Sequence, residues 1–255
     1  MTIIVSKKEF LDTYKKKFWG YKALDVCIDN KWLPLKATPF LASIVGRLMG
    51  DGNLSKSRTV GGDFKFYGNN SKLDKIKFDL KKHFGIIPYS YYPHPKGGCY
   101  ILRYNNAIFS RIFELVGVPR GDKILTSFEV PDWIMQGTKE IKKSFLGAIF
   151  ADEMGRPYKH NKSWKGLEFG MSKIKSKSKC LIFFLNQLKT LLNYFEITSS
   201  KTILRKNRPY SRKDGHVTYP ARFYLHTNLA NRSKFYFNVG FDDKTKQKLL
   251  YSSLK

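Results

Sequence analysis

The sequence predicts an α+β fold of two pseudo-symmetric αββαββα repeats. Three observations carry the prediction. The same succession of patterns (helix, strands, helix, strands, helix) starts near residue 38 and again at residue 138. Each succession opens on an apolar helix rich in small residues that ends in a carboxylate. Between them lies VPRGDKILTSFEVPDWIMQG, whose Pro, Gly and charges interrupt both periodicities. The expected organisation is an extension over 1–37, a first repeat over 38–118, a linker over 119–137 and a second repeat over 138–255.

Each element has its own warrant. The extension holds KKEFLDTYKKKFW, a short helical pattern with three consecutive lysines. Thr38-Pro39 is an N-cap followed by the residue best tolerated at the first helical position, so residues 39–50 read as a helix. GGDFKFYGNN alternates as a strand does. SKLDKIKFDLKKHFGI is a helix, with Ser71 and Asp74 in capping-box spacing and Gly85 as its stop. CYILRYNN is a strand, and AIFSRIFELVGVP is a short amphipathic helix closed by Gly117 and Pro119. In the second half TKEIKKSFLGAIFADEMG, GLEFGMS, SKSKCLIFFLNQLKTLLNYFEI, ARFYLHT and NLANRSKFYFNVGF repeat that order. The run RKNRPYSRKDGH, residues 205–216, reads as a basic hairpin loop with Asp214-Gly215 at its turn.

Composition narrows the function. The 255 residues carry 47 Lys and Arg against 20 Asp and Glu, a net charge of +27. The excess is +10 over residues 1–137 and +17 over 138–255, so it belongs to the folded body and not to a tail. A basic, aromatic-rich body points to a polyanionic partner, and to nucleic acid first. Cys27, Cys99 and Cys180 are far apart and form no CxxC pair, which supports neither a zinc ribbon nor a disulfide framework. His83, His94, His160, His216 and His226 show no metal spacing. No phosphate-loop or dinucleotide glycine motif is present. The N-terminal apolar run is too short for a signal peptide, and no stretch reaches the ~18 apolar residues of a membrane span. An intracellular protein of cytoplasm or nucleoid, with no membrane partner, is expected.

The two opening helices hold the chemistry. Gly46 and Gly50 fall on one helix face, and each lowers helix stability by about 1 kcal/mol relative to alanine. Small residues at this spacing let two helices approach closely, with Gly147 and Ala151, or Ala148 and Asp152, as the matching positions in the second half. Parallel packing would bring two helix-end carboxylates together, where they repel each other and the helix dipoles. A divalent metal removes that conflict. Mg²⁺ takes oxygen ligands and is commonly held by one or two carboxylates plus substrate phosphates, an arrangement suited to phosphodiester hydrolysis.

IVGRLMGDG and FLGAIFADEMG resemble the LAGLIDADG motif, and residues 38–255 resemble a single-chain, two-motif LAGLIDADG homing endonuclease. Gly46, Gly50, Asp51 and Gly52 match an archaeal, intron-encoded flavour of the pattern. The second motif lacks the glycine after its acid and reads Asp152-Glu153-Met154-Gly155. Two registers result, one placing Glu153 and one Asp152 at the catalytic position. The spacing from Asp51 to Phe66, set against that from Glu153 to Phe169, favours Glu153.

The resemblance implies one curved antiparallel sheet per repeat that binds double-stranded DNA in the major groove, and an enzyme that cuts both strands of a long site. It implies Mg²⁺ as the ion, with Mn²⁺ as a substitute and Ca²⁺ supporting binding without cleavage. Asp51, Glu153, Asp152 and Gly50 form the implied metal shell. Arg103, its repeat counterpart His226, and Arg156 are implied to stabilise the charged transition state. DNA contacts are expected from Lys65, Tyr67, Tyr89, Tyr91 and Arg103 in the first half. In the second half they are expected from Arg205, Lys206, Arg208, Tyr210, Arg212, Lys213 and Arg222. Two motifs in one chain make a monomer sufficient. The alternative on the same fold is an RNA maturase, with intron RNA as partner, or a cleavage-deficient DNA-binding protein. The ends MTIIV and SSLK carry no splice-junction residues, which speaks against an intein.

Overall fold

A computed structural model describes residues 2–56, 62–161 and 163–255. The chain forms two compact units, Met1–Gly121 and Asp122–Lys255. Each is a mixed α/β unit built on an antiparallel sheet, as the resemblance implies.

In the first unit the N-terminal residues form β1 (Ile3–Val5), α1 (Lys7–Asp12), α2 (Lys17–Asp29) and β2 (Leu35–Lys36), with β1 and β2 paired antiparallel. Ser6 and Glu9 close a capping box on α1. Phe10 is fully buried, and Arg111 donates to the Thr13 carbonyl at 2.8 Å, so this extension is part of the unit's core. Then come α3 (Pro39–Met49), β3 (Asn53–Leu54), β4 (Asp63–Gly68), α4 (Asn70–Phe84), β5 (Ser90–Pro93), β6 (Tyr100–Asn105) and α5 (Ala107–Leu115). Thr38 caps α3 by accepting from Leu41 N, as expected. The cap of α4 is a correction: Asn69, not Ser71, accepts from Lys72 N, so the helix starts a half-turn early. Gly85 ends it in the left-handed region at φ 70. The sheet order is β3-β4-β6-β5. Phe64, Phe66, Leu102 and Tyr104 fill its helix side, where Phe64 stacks on Tyr104 at 4.9 Å and meets Phe113 of α5 edge-on.

The second unit runs α6 (Asp132–Met135), α7 (Lys139–Glu153), β7 (Tyr158–His160), β8 (Ser163–Lys165), β9 (Glu168–Ile174), α8 (Ser178–Tyr194), β10 (Ile203–Leu204), β11 (Tyr210–Ser211), β12 (Val217–Tyr224), α9 (Leu229–Asn238) and α10 (Lys244–Ser252). Strand β12 is the spine: β9 pairs one edge over seven residues, and β10 and β11 share the other. Phe169, Ala221 and Phe223 face the helices. The β7–β8 hairpin and α10 have no counterpart in the sequence reading. The segment before α6 lies on the same core, with Phe128 edge-on to Phe184 of α8 and Val130 N donating to Gln187.

The two sheets share one register. In the first, Leu54 pairs with Phe64, which pairs with Tyr104. In the second, Met154 bridges Phe169, which pairs with Phe223. These two ladders fix which residues correspond. β4 corresponds to β9 and β6 to β12, with Phe64, not Phe66, in the place of Phe169.

Candidate functional site

In the first unit the motif ends in a tight exit. Gly50 closes α3, with its N–H on the Gly46 carbonyl at 2.9 Å, and Gly52 N donates back to Arg47 O. A Cβ on Gly52 would lie 2.7 Å from both Arg47 O and Leu48 Cα, so only glycine fits behind the acid. Asp51 projects from this turn with its side chain 48% exposed, and Lys72 Nζ approaches its Oδ2 at 3.6 Å. On the open face of the sheet Arg103 lies across from Lys65 and reaches diagonally to Asp63, at 2.5 Å from Oδ2. That hydrogen bond holds the Arg103 guanidinium above its usual pKa. Tyr89 underlies it at 5.2 Å. Tyr67 is half-buried opposite Ile101. Tyr91 is a correction: it pairs with Leu102 on the helix side, and its hydroxyl donates to Asn70 at 3.0 Å. The neighbouring Tyr92, paired with Ile101, takes the open face instead.

In the second unit the motif opens into a cavity of about 970 Å³ lined by Glu153, Arg156, Lys165, Glu168, Arg222 and His226 among others. Asp152 is half-buried and is not one of the lining residues. Here α7 runs straight through Glu153, and Met154, almost fully buried, bridges Phe169 directly. The residue that replaces the motif's glycine is thus a core residue. The close approach passes to Gly155, where a Cβ would lie 2.4 Å from Gly166 O. The floor of the cavity is the open face of β9 and β12. There Arg222 is ion-paired to Glu168, while its Nε is buried without a partner.

By the shared register Arg222, not His226, is the counterpart of Arg103, and Glu168 is the counterpart of Asp63. Each sheet therefore carries the same diagonal arginine–carboxylate pair. His226 lies beyond the strand end, with Nδ1 3.0 Å from Thr198 Oγ1. The same register removes the spacing argument for Glu153, because Phe66 does not correspond to Phe169.

The basic hairpin forms as expected around Asp214-Gly215: Arg212 N donates to His216 O, and Asp214 accepts from Arg212 Nε and His216 N. Lys206, Arg208, Tyr210 and Lys213 are exposed, Tyr210 by 66%. Arg205 turns back onto the sheet, donating to Tyr224 Oη at 3.1 Å. Gly46, Gly50 and Ala148 are buried. A Cβ on Gly147 would meet Val239 O, Gly240 O and Asp242 N at 3.7–3.8 Å, ordinary contact distances, and the Gly147 carbonyl accepts from Asp242 N.

Among the described residues no group of three or more His, Cys, Asp or Glu could hold a metal by itself. Asp51 and Glu153 are hard oxygen donors that suit Mg²⁺ or Mn²⁺ when phosphate oxygens complete the shell. No helix among the described residues is long and apolar enough to cross a membrane.

No family model matches the chain. It is 30% identical, over 266 aligned residues, to the DNA-directed RNA polymerase subunit Rpo1N of Methanocaldococcus jannaschii, covering 93% of this chain but 18% of that protein. It is 31% identical over 169 residues to the replication factor C small subunit of the same organism, covering 62% of this chain and 9% of that protein. It is 30% identical over 189 residues to the tRNA-splicing ligase RtcB of Methanopyrus kandleri, covering 65% and 19%. The chain thus spans less than a fifth of each of these relatives. Among solved structures, the homing endonuclease I-DmoI in complex with DNA and Ca superposes with a TM-score of 0.52 at 14% identity, over 84% of this chain and 97% of that one. Mesophilic variants of I-DmoI give 0.50 at 15%, over 79% and 88%. The chain has the two-repeat LAGLIDADG homing-endonuclease fold.

Proposed function

We propose that the chain is a site-specific, double-strand DNA endonuclease using a divalent metal, the activity of the homing enzymes whose fold it has. The observation that carries the reading is the second unit's cavity, where the motif carboxylate Glu153 shares one space with Arg156, Lys165, Arg222 and His226. A carboxylate at a helix end surrounded by guanidinium and ammonium groups suits a phosphodiester: the cations bind the backbone, and the acid holds the ion. Mg²⁺ supplies charge neutralisation at the scissile phosphate and a more acidic water. In this reading Asp51 and Glu153 are the motif acids of the first and second repeat. Arg103 and Arg222 contact the DNA from equivalent places in the two sheets. The basic hairpin around Tyr210 reaches along the duplex.

The relatives add a second support. One segment recurs as a minor part of an RNA polymerase subunit, a replication factor and a tRNA-splicing ligase. A segment shared by proteins with such different names is a portable module and not part of any one host's activity.

The test is selection of cleaved molecules from a randomised duplex library in Mg²⁺, followed by cleavage of the recovered site as plasmid DNA. Mg²⁺ and Mn²⁺ should support linearisation, and Ca²⁺ binding alone. Asp51→Asn and Glu153→Gln should each abolish cutting, while Asp152→Asn retains it. Salt-sensitive binding with no cleavage in any ion would refute the nuclease reading and leave a DNA-binding protein or maturase.

A further inference from the structure

We infer that Lys246, on α10, is a positioning residue for Glu153; the inference rests on the nuclease reading above. Its Nζ donates to Ala151 O at 2.7 Å and to Met154 O at 2.6 Å, the carbonyls on either side of Asp152-Glu153. These carbonyls lie at the C-terminal end of α7, where helix geometry leaves acceptors unmatched and the dipole is negative. A carboxylate placed there is repelled by its own helix. The ammonium offsets that repulsion and fixes the backbone that carries the acid.

The lysine is itself held. Asp243 caps α10 and accepts from Lys246 N at 2.7 Å, so the lysine sits in a fixed first turn. One residue before that cap, Asp242 N bonds to Gly147 O in the middle of α7. The segment after α9 is thus fastened to α7 at two levels. The first unit shows the same device with other residues. Beyond α5, Arg120 donates to Ser55 O at 2.6 Å and Gly121 N to Leu54 O at 2.8 Å, holding the chain that leaves α3. In both units a cation that follows the last repeat helix secures the exit of the motif.

The experiment compares Lys246→Met, Lys246→Gln and Lys246→Arg by hydrogen exchange and by cleavage. Met154 N and Gly155 N donate to Phe150 O and Glu168 O, so they report the exit directly. Loss of the ammonium should speed exchange of these two amides about tenfold or more, the scale of a charged hydrogen bond, with β12 and the centre of α8 unchanged. Cleavage should fall about 100-fold, as small misplacements of a reacting group do, with DNA affinity in Ca²⁺ unaltered. Arginine should restore most of both, and glutamine, which reaches one carbonyl, should fall between. Should methionine not fold, glutamine and arginine decide. Unchanged exchange at 154–155, or a parallel loss of affinity and cleavage, overturns the inference. If the native chain cuts no DNA, the exchange arm still judges the clamp while the nuclease reading fails separately.

Discussion

Lys173 gives the sharpest energetic prediction. It lies on β9 facing the helices and is 1% exposed. Its Nζ donates to Lys123 O at 2.5 Å and to Thr126 O, and it sits 3.8 Å from the Phe128 ring centroid. Burial pushes the amine down from 10.5 to about 8. The folded form therefore releases its proton near pH 8, while the unfolded chain keeps it to about 10.5. Between those values the unfolded state binds more protons, so stability rises with pH across that window. At 1.36 kcal/mol per pH unit the full interval corresponds to about 3 kcal/mol. The two carbonyls and the ring favour the ammonium, which makes this the ceiling. Lys173→Met removes the charge but leaves two buried carbonyls unmatched, a loss of roughly 1–3 kcal/mol each. At pH 7 these effects oppose each other and the variant should lie within about 2 kcal/mol of the native chain. At pH 10 the native chain should have pulled ahead by up to a further ~3 kcal/mol. Urea unfolding of both proteins at pH 7, 8, 9 and 10 measures the difference, in which other titrating groups cancel. A difference that stays flat with pH refutes the reasoning.

Three other outcomes are expected. Gly155→Ala forces a Cβ to 2.4 Å from Gly166 O, so it should destabilise the protein by about 2–3 kcal/mol in denaturant melts and slow cleavage by displacing the exit from α7. Tyr104→Phe should be neutral or stabilising by up to about 1 kcal/mol, because the buried Tyr104 hydroxyl has no hydrogen-bond partner; a lowered Tm would show that the hydroxyl is satisfied. Asp51→Asn should leave DNA binding intact in gel shifts while plasmid linearisation disappears.

The fold was legible because its signals are local. Thr38-Pro39, Gly85 and Asp214-Gly215 each act within a few residues of the turn they make, and the alternation in DFKFYG and ARFY needs only one buried face. The α4 cap was misplaced because Asn69 and Ser71 are both good caps, and only the chain entering from β4 decides between them. The β7–β8 hairpin is three residues a strand and largely exposed, so it leaves no hydrophobic pattern to find. α10 is mostly polar, with Leu250 its one buried residue, and its start is marked by the Asp243 cap.

The site was harder to read because its geometry depends on pairing. Tyr91 and Tyr92 are indistinguishable in sequence, and a one-residue shift in register exchanges the helix side for the open face. Arg103 found its true counterpart in Arg222 through strand partners, and each stands two residues before the end of its strand, whereas His226 lies beyond the end that the sequence alone does not mark. The two motifs fail to align by spacing for a related reason. After α3 the chain makes a three-residue exit, Gly50-Asp51-Gly52, before Asn53 and Leu54 join the sheet, whereas α7 continues to Glu153 and Met154 joins at once. The acid thus sits three residues before Leu54 in one unit and one residue before Met154 in the other. A helix that enters its sheet directly has no turn after the acid, and so no need of glycine there. Met154 is then free to be a core residue, and the apparent defect in the second motif is the consequence of a shorter exit.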